Sequence, residues 1–191
     1  ISEDNYQFYA DYAFQVQKQT QEEILRLVQK YVAKTGIKKV CFAGGYALNV
    51  VTNSFLVKSL PHVEFYFEPI SDDTGITLGS SLIFHKKMLG IIPEIPYHTF
   101  FNNINHDIDK IEGENVSEED IARFLSHGKT VAVFNGQSEV GPRALGNRSL
   151  LYDARDPDAK KVVNKIKNRE WYRPFAAVVL EKDAKDYFEM Y

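Results

Sequence analysis

A chain of 191 residues with 44% hydrophobic content can bury a sizeable core, which excludes a disordered protein. Its net charge is −3, from 23 Lys and Arg against 26 Asp and Glu, which argues against binding along a nucleic acid. Cys41 is the single cysteine, which excludes an intrachain disulfide and suits a reducing compartment such as the cytoplasm. No segment approaches the roughly 20 apolar residues that span a bilayer, so we expect no membrane contact.

The first half of the chain alternates helix and strand signals. Residues 6–34 have the apolar spacing of one long amphipathic helix, which Gly36 is well placed to end. Strand signals at 39–43 and 63–67 each lead through a glycine-rich or polar turn into a helix, the second of which is expected to run to about Leu89. This is an α/β pattern, in which ligands bind at the carboxyl ends of the strands.

The chain changes character from Gly90 to about Asp109, where Pro and Asn interrupt the periodicity. We therefore predict two domains, residues 1–95 and 96–191. The second half then predicts, in chain order, a helix from an N-cap at Ser117 to about His127, a strand at 130–134, an extended stretch at 149–152, a helix from an N-cap at Asp156 to about Lys167, and a strand at 175–180.

A glycine-rich run, GQSEVGPRALGNRS at 136–149, carries Arg143 and Arg148. Glycine-rich turns let backbone N–H groups approach an anion, and guanidinium groups bind phosphate or carboxylate oxygens in pairs. Residues 135–175 hold nine Lys and Arg against five Asp and Glu, a window of +4 that leaves −7 for the rest of the chain. A focused positive cluster on an acidic chain indicates a site for a small anion.

Gly44 and Gly45 lie between a predicted strand and a predicted helix, where a phosphate can approach the backbone and the helix N-terminus. Asn49, one turn into that helix, is placed either to hydrogen-bond a nucleotide or to cap the helix locally. A glycine pair at a strand end is also typical of a plain tight turn, so both interpretations stay open.

Two adjacent carboxylates, Asp72 and Asp73, precede the next predicted helix. Such a pair either ligates a divalent metal or caps the helix and interacts with its dipole. Composition favours the cap. The five histidines include no pair at the i, i+4 spacing of a helical metal site, so any further metal ligands must come from elsewhere.

The run REWYRPF, near the end of the chain, joins two aromatic residues and two arginines next to a proline. One interpretation is a packed aromatic corner in which Arg169 or Arg173 pairs with Glu170. The other directs Arg173, together with Lys167, at the anion held by the glycine-rich run.

Four motifs, taken together and in this order, resemble the NodU/CmcH/TobZ carbamoyltransferases. The motifs are GGYALN at 44–49, DTGITLG at 73–79, GPRALGNRS at 141–149 and EWYRPFA at 170–176. The Gly-Pro-Arg-Ala-Leu-Gly run is highly specific, and the resemblance covers nearly the whole chain.

The resemblance implies an α/β fold in which residues 1–95 form the second lobe of an actin/sugar-kinase-like (ASKHA, TsaD-like) ATPase domain. Residues 96–191 would form an incomplete α+β YrdC-like domain. The implied enzyme uses ATP and carbamoyl phosphate to make carbamoyl adenylate, then transfers the carbamoyl group to the hydroxyl of a small-molecule acceptor. A divalent metal of the iron type is implied in the full-length protein, and a homo-oligomer stays open.

Carried over by motif position, the resemblance implies three groups of site residues. They are Arg143, Lys167 and Arg173 for carbamoyl phosphate, Gly44, Gly45, Asn49 and Arg148 for the nucleotide, and Asp73 for the metal. The chemistry is consistent, because phosphate loss from carbamoyl phosphate needs positive charge fixed where negative charge develops. A carbamoyl adenylate also needs a site closed to water.

Other classes of function compete with this one: an ASKHA-type small-molecule kinase, a non-catalytic YrdC-like RNA-binding module, and a scaffold without chemistry. The motifs around Arg143 and Trp171 argue against the kinase, since such kinases lack an appended YrdC-like module. The acidic remainder of the chain argues against RNA. Thermal stabilisation by carbamoyl phosphate alone would favour the enzyme, and steep salt dependence of RNA binding would favour the RNA module.

In the resembling family a histidine pair upstream of these motifs also holds the metal, and this sequence has no such pair. We therefore expect the first ATPase lobe to lie outside this chain and the YrdC-like domain to continue beyond it. The 191-residue chain should then release no carbamoylated product when assayed with carbamoyl phosphate, ATP and an alcohol acceptor. Turnover in that assay would contradict the expectation.

Overall fold

The computed structural model describes residues 1–94, 99–100 and 112–189. The protein is mixed α/β and falls into two compact units, which divide between Glu94 and Ile95. The assignment of family domains to residues 1–95 and 96–191 stays a prediction, and most of the predicted boundary region lies outside the described residues. None of the helices in the described ranges is long and apolar enough to cross a bilayer.

The regular elements alternate in the first unit and are shorter in the second. In chain order they are α1 (Tyr6–Thr35), β1 (Lys39–Phe42), α2 (Val50–Ser59), β2 (Glu64–Phe67), α3 (Thr74–Leu89), α4 (Glu118–Ser126), β3 (Val131–Phe134), β4 (Arg148–Leu151), α5 (Ala159–Ile166) and α6 (Ala184–Tyr187). Short 3-10 turns lie at Glu3–Asn5, Gly45–Leu48 and Glu181–Asp183.

The first unit is built on two parallel strands. β1 and β2 pair in the register Lys39↔Glu64 to Phe42↔Phe67, with α2 as the connection between them. The fully buried Leu56 of α2 lies in the core of this unit. Gly36 ends α1 at a φ of 72°, as predicted, because a left-handed residue there lets its N–H close on the carbonyl of Val32.

In the described part of the second unit, two strands form an antiparallel pair. β3 and β4 pair in the register Val131↔Leu151 to Phe134↔Arg148. The predicted N-cap at Ser117 is confirmed: its hydroxyl accepts from the Asp120 N–H at 3.1 Å, and the Asp120 carboxylate accepts from the Ser117 N–H. The predicted strand at 130–134 and the extended stretch at 149–152 are confirmed as β3 and β4, each shifted by one residue or less at its ends.

The predicted start of the fifth helix at Asp156 is wrong. Asp156 instead accepts from the hydroxyl of Tyr152 at 2.6 Å and from the N–H of Asp158 at 2.8 Å, so its carboxylate closes a turn before the helix. α5 begins at Ala159, with Asp158 in the preceding position. The Asp156 carbonyl accepts from the Ala159 N–H at 3.0 Å, only three residues on, whereas the Asp158 carbonyl accepts from the Val162 N–H four residues on, as in an α-helix.

The predicted strand at 175–180 is also wrong, because a strand needs a neighbour to complete its backbone ladder. Both sheets in the described part of the chain have two strands, and neither includes this segment. Residues 174–178 line a cavity of about 820 Å³ together with side chains from α4, β4 and α5.

Two glycines of α3 make a matched test of the turn before that helix. A Cβ on Gly75 would lie 2.0 Å from the carbonyl oxygen of Ile70, whereas a Cβ on Gly79 would meet no heavy atom within 4 Å. Gly75→Ala should lower the free energy of unfolding by about 1–3 kcal/mol, because the turn backbone must shift. Gly79→Ala should raise it by about 0.5–1 kcal/mol through helix propensity.

The measurement is denaturant unfolding of both variants and the parent. Equal stability of Gly75→Ala and the parent would contradict the close packing of the turn against α3.

Candidate functional site

The glycine-rich loop connects β3 to β4. A backbone hydrogen bond between its two ends continues the pairing of these strands. The Asn135 N–H donates to the Asn147 carbonyl at 3.0 Å, directly beyond the Phe134↔Arg148 pair. Gly141 and Gly146 have φ values of 105° and 108°, which L side chains rarely adopt. The loop path therefore requires glycine at both positions of the GPRALG run.

The carboxylate of Glu139 occupies the backbone donors of this loop. Its Oε1 accepts from the N–H groups of Leu145 at 2.9 Å, Asn147 at 2.7 Å and Arg148 at 3.2 Å. The remaining N–H of that stretch, on Gly146, donates to the Ser149 hydroxyl at 2.9 Å. The sequence predicts an anion at these donors, and the anion that the structure places there is the chain's own carboxylate.

Arg148 is built into the same loop. Its guanidinium donates to the carbonyls of Asn135 at 2.7 Å and Asn147 at 2.8 Å, and its carbon lies 3.6 Å from the centre of the Phe134 ring. These contacts favour a structural role, in which Arg148 fixes the two ends of the loop to β3. Its contact with a nucleotide stays a prediction.

Arg143 lies within the loop, two residues before Leu145, which is the first residue whose N–H donates to Glu139. Its side chain is exposed, and it directly follows Gly141 and Pro142, which restrict the backbone on that side. A fixed backbone removes part of the conformational freedom that an arginine would otherwise lose on binding an oxyanion.

The second group of predicted site residues lies in the turn after α5. Asn164, with only 1% of its surface exposed, donates from its side-chain amide to the carbonyls of Arg173 at 2.9 Å and Trp171 at 3.3 Å. Its backbone carbonyl accepts from the Arg169 N–H at 2.9 Å. One buried asparagine therefore fixes the backbone of the whole turn.

Two interpretations of this turn follow from the sequence: an aromatic corner with an ion pair, and part of an anion site. The side-chain contacts bear on the first. Arg173 forms an ion pair with Glu170, and the Arg169 guanidinium lies 5.4 Å from the centre of the Phe175 ring. The ion pair of the first interpretation is therefore confirmed, with Arg173 as the partner of Glu170, while Trp171 and Phe175 are exposed. Lys167 ends α5 and is exposed, and the Arg173 side chain is about half exposed. The convergence of both cations with Arg143 on one anion stays a prediction.

Gly44 and Gly45 form the turn that follows β1. Gly44 has a φ of 93°, and a Cβ at either glycine would meet no heavy atom within 4 Å. The turn thus leaves open space above its backbone, which suits the approach of a phosphate.

Asn49 caps α2 rather than lying one turn inside it. Its Oδ1 accepts from the Thr52 N–H at 3.1 Å, and its Nδ2 donates to Gln17 Oε1 of α1 at 2.8 Å. Gln17 also donates to the hydroxyl of Thr52, which is fully buried. These bonds join α1 to α2 and favour the local role, so a contact of Asn49 with a nucleotide stays a prediction.

The carboxylates before α3 have separate environments. Asp72 accepts from both the N–H and the hydroxyl of Thr74, as expected of a capping residue. Asp73 is exposed and makes no side-chain cap bond. Across residues 1–94, 99–100 and 112–189, no group of three or more His, Cys, Asp or Glu side chains is placed to hold a metal ion. The binding of a metal by Asp73 stays a prediction.

The sequence interpretation missed Glu139, Asn164 and Gln17 as the residues that hold the predicted site residues in place. A signal existed for the first two. Glu139 is the only carboxylate inside the glycine-rich run, and Asn164 is a polar residue beside Val163 on the apolar side of α5. Gln17 lies on an exposed-looking part of a long helix and had no such signal.

This mixed α/β chain matches two family models in chain order. The carbamoyltransferase N-terminus model matches residues 2–82, and the carbamoyltransferase C-terminus model matches residues 122–191. The chain therefore belongs to the carbamoyltransferase family.

Named relatives support the same membership. The nodulation protein NolNO of Sinorhizobium fredii is 31% identical over 199 residues, which are 96% of this chain and 29% of that protein. Nodulation protein U of Rhizobium fredii is 32% identical over 156 residues, 80% of this chain and 27% of that protein. The uncharacterized protein sll1178 of Synechocystis is 33% identical over 200 residues, 94% of this chain and 32% of that protein. The chain spans about a third of the length of the curated relatives it matches.

The ion pair in the turn after α5 gives a pH-dependent prediction. The hydrogen bond from Arg173 lowers the pKa of the Glu170 carboxyl below its ordinary value of 4.5, and the same bond raises the pKa of Arg173. Because the folded-state pKa of Glu170 is lowered, the pair stabilises the folded state above the ordinary pKa, and this contribution is lost as the pH falls through the folded-state pKa. Arg173→Ala should raise the pKa of Glu170 towards 4.5, as measured by carboxyl carbon NMR titration.

The matched control is Arg123→Ala, which removes an arginine that pairs with Asp120 on α4. It should leave the Glu170 titration unchanged. A Glu170 pKa that does not respond to Arg173→Ala would show that the ion pair does not form in solution.

Proposed function

We propose that this chain is part of an ATP-dependent O-carbamoyltransferase. The enzyme converts carbamoyl phosphate and ATP to carbamoyl adenylate and transfers the carbamoyl group to the hydroxyl of a small-molecule acceptor. Family membership supports the transfer of a carbamoyl group, and the cytoplasm supplies both anionic substrates. The acceptor of this chain is not identified by the nodulation names of its relatives, which describe those proteins.

In this proposal the two units have separate tasks. The first unit is the second lobe of an actin/sugar-kinase-like ATPase domain, and the second unit is an incomplete YrdC-like domain. The open turn at Gly44 and Gly45 supports a phosphate site in the first unit, because a bulkier residue would fill the space that a ligand needs. Asp73 would give one oxygen to a metal whose other ligands lie outside the described residues.

The observation that carries the proposal is the exposed Arg143 on a loop whose backbone is fixed from within. Carbamoyl phosphate is a small dianion, and a guanidinium binds two of its oxygens with charge-assisted hydrogen bonds. Lys167 and Arg173 would complete the positive site from the turn that Asn164 holds. Positive charge fixed there stabilises the negative charge that develops on the departing phosphate.

The proposed reaction has three steps. In the first step, water attacks the carbamoyl carbon of carbamoyl phosphate and the bond from that carbon to the bridging oxygen breaks; one proton of the water passes to the departing phosphate, the other is released, and carbamate remains. A carbamate oxygen then attacks the α-phosphorus of ATP, and pyrophosphate leaves. Finally the acceptor hydroxyl attacks the carbamoyl carbon, loses its proton, and AMP departs with the bonding electrons. The arginine and lysine side chains bind and orient the carbamoyl donor for the first two steps.

Removal of the Arg143 guanidinium is the direct test of this site. Arg143→Ala should weaken the binding of carbamoyl phosphate by about 10- to 100-fold, because a bidentate charged hydrogen bond is lost. Isothermal titration calorimetry on the 191-residue chain gives the dissociation constant. Arg123→Ala, an exposed arginine of α4 on the same unit, should bind as the parent does.

Two results would contradict the proposal. One is an Arg143→Ala variant that binds carbamoyl phosphate as tightly as the parent. The other is a parent chain that binds carbamoyl phosphate no better than it binds sulfate.

A further inference from the structure

The carboxylate of Glu139 lies where a ligand anion would otherwise bind the glycine-rich loop. Three N–H groups converge on its Oε1 within 3.2 Å, from Leu145, Asn147 and Arg148. A convergent set of backbone donors is a typical anion-binding arrangement in proteins. Here the arrangement is filled by an internal group, so an external anion could reach those donors only by displacing Glu139.

The backbone of Glu139 is itself held on the other side. Glu139 pairs with Phe100 in an antiparallel bridge, and the next residue, Val140, donates its N–H to the Thr99 carbonyl at 2.8 Å. Thr99 is buried. The backbone that carries this carboxylate is therefore attached to residues 99–100, independently of residues 145–148.

These two attachments close a small ring of chain. Glu139 is fixed at its backbone, and its side chain holds Leu145, so the five residues between them form a tip with both ends tied. Arg143 belongs to this tip. Because both ends of this five-residue segment are held, the backbone of Arg143 has fewer accessible conformations. Its guanidinium therefore reaches a smaller region.

We propose that Glu139 is the positioning residue of the carbamoyl phosphate site: its carboxylate holds the loop so that Arg143 is presented to the anion. This inference rests on the proposed function. In this arrangement side chains bind the anion, because Glu139 already accepts hydrogen bonds from three backbone N–H groups of the loop. It also explains an acidic residue inside a positive loop, because three N–H groups surround the negative charge of that residue.

The proposal predicts how three substitutions of Glu139 differ. Glu139→Gln keeps a carbonyl oxygen of the same reach, so its affinity for carbamoyl phosphate should stay within about threefold of the parent. Glu139→Ala removes the acceptor, and Glu139→Asp withdraws it by one methylene, so each should weaken binding by about tenfold. Glu119→Ala, which removes an exposed carboxylate from α4, is the matched control and should bind as the parent does.

A double-mutant cycle distinguishes positioning from general stability. If Glu139 acts through Arg143, the double variant Glu139→Ala with Arg143→Ala should bind carbamoyl phosphate no more weakly than Arg143→Ala alone. All four proteins are compared by the dissociation constant from calorimetry, at a temperature where circular dichroism shows each to be folded. Should Glu139→Ala not fold, Glu139→Asp replaces it in the cycle.

The possible failures are separable. If Arg143→Ala leaves the affinity unchanged, the proposed function fails whatever Glu139 does. If Arg143→Ala weakens binding but Glu139→Ala and Glu139→Asp bind as the parent, or if the losses multiply in the double variant, the positioning role is wrong and the carbamoyl phosphate site stands. Loss of affinity in Glu139→Gln equal to that in Glu139→Ala would also overturn the positioning role.

Discussion

The hydrogen bonds from residues 145–148 to Glu139 determine what the glycine-rich loop can do. A loop with two glycines at φ above 100° has many accessible conformations, and its backbone donors would be strongly hydrated if left open. A single carboxylate satisfies three of them and closes the loop. Glycine therefore allows the tight path of the loop, while the hydrogen bonds to Glu139 restrict the conformation of the segment that carries Arg143.

In the turn after α5, the neutral side chain of Asn164 holds the backbone as Glu139 does in the glycine-rich loop. Asn164 is buried, and its amide donates to the two carbonyls on either side of Tyr172, while its own backbone carbonyl accepts from the Arg169 N–H. In both places a polar side chain within the fold fixes backbone, and the backbone presents a cation outward. In the proposed function, the anion then binds without the free-energy cost of ordering these two loops.

Sequence patterns predicted the elements that local signals determine. The glycine after α1 and the serine before α4 act within one turn of the chain, so Gly36 and Ser117 were placed correctly. The strand at 175–180 depends on a pairing partner that the local sequence does not reveal, and Asp156 closes a turn with Tyr152 and Asp158 before α5 begins. For the site, the motifs identified the loop and the turn, but the role of Glu139 depends on a path that returns to it six to nine residues later.

A crystal structure of the chain with bound carbamoyl phosphate would test the central claim most directly. We expect phosphate oxygens at about 3 Å from the guanidinium nitrogens of Arg143 and Arg173, with Glu139 still accepting from the N–H groups of Leu145 and Asn147. An anion seated on those N–H groups, with the carboxylate swung away, would contradict it. So would a structure in which the two guanidinium groups point to opposite faces of the unit.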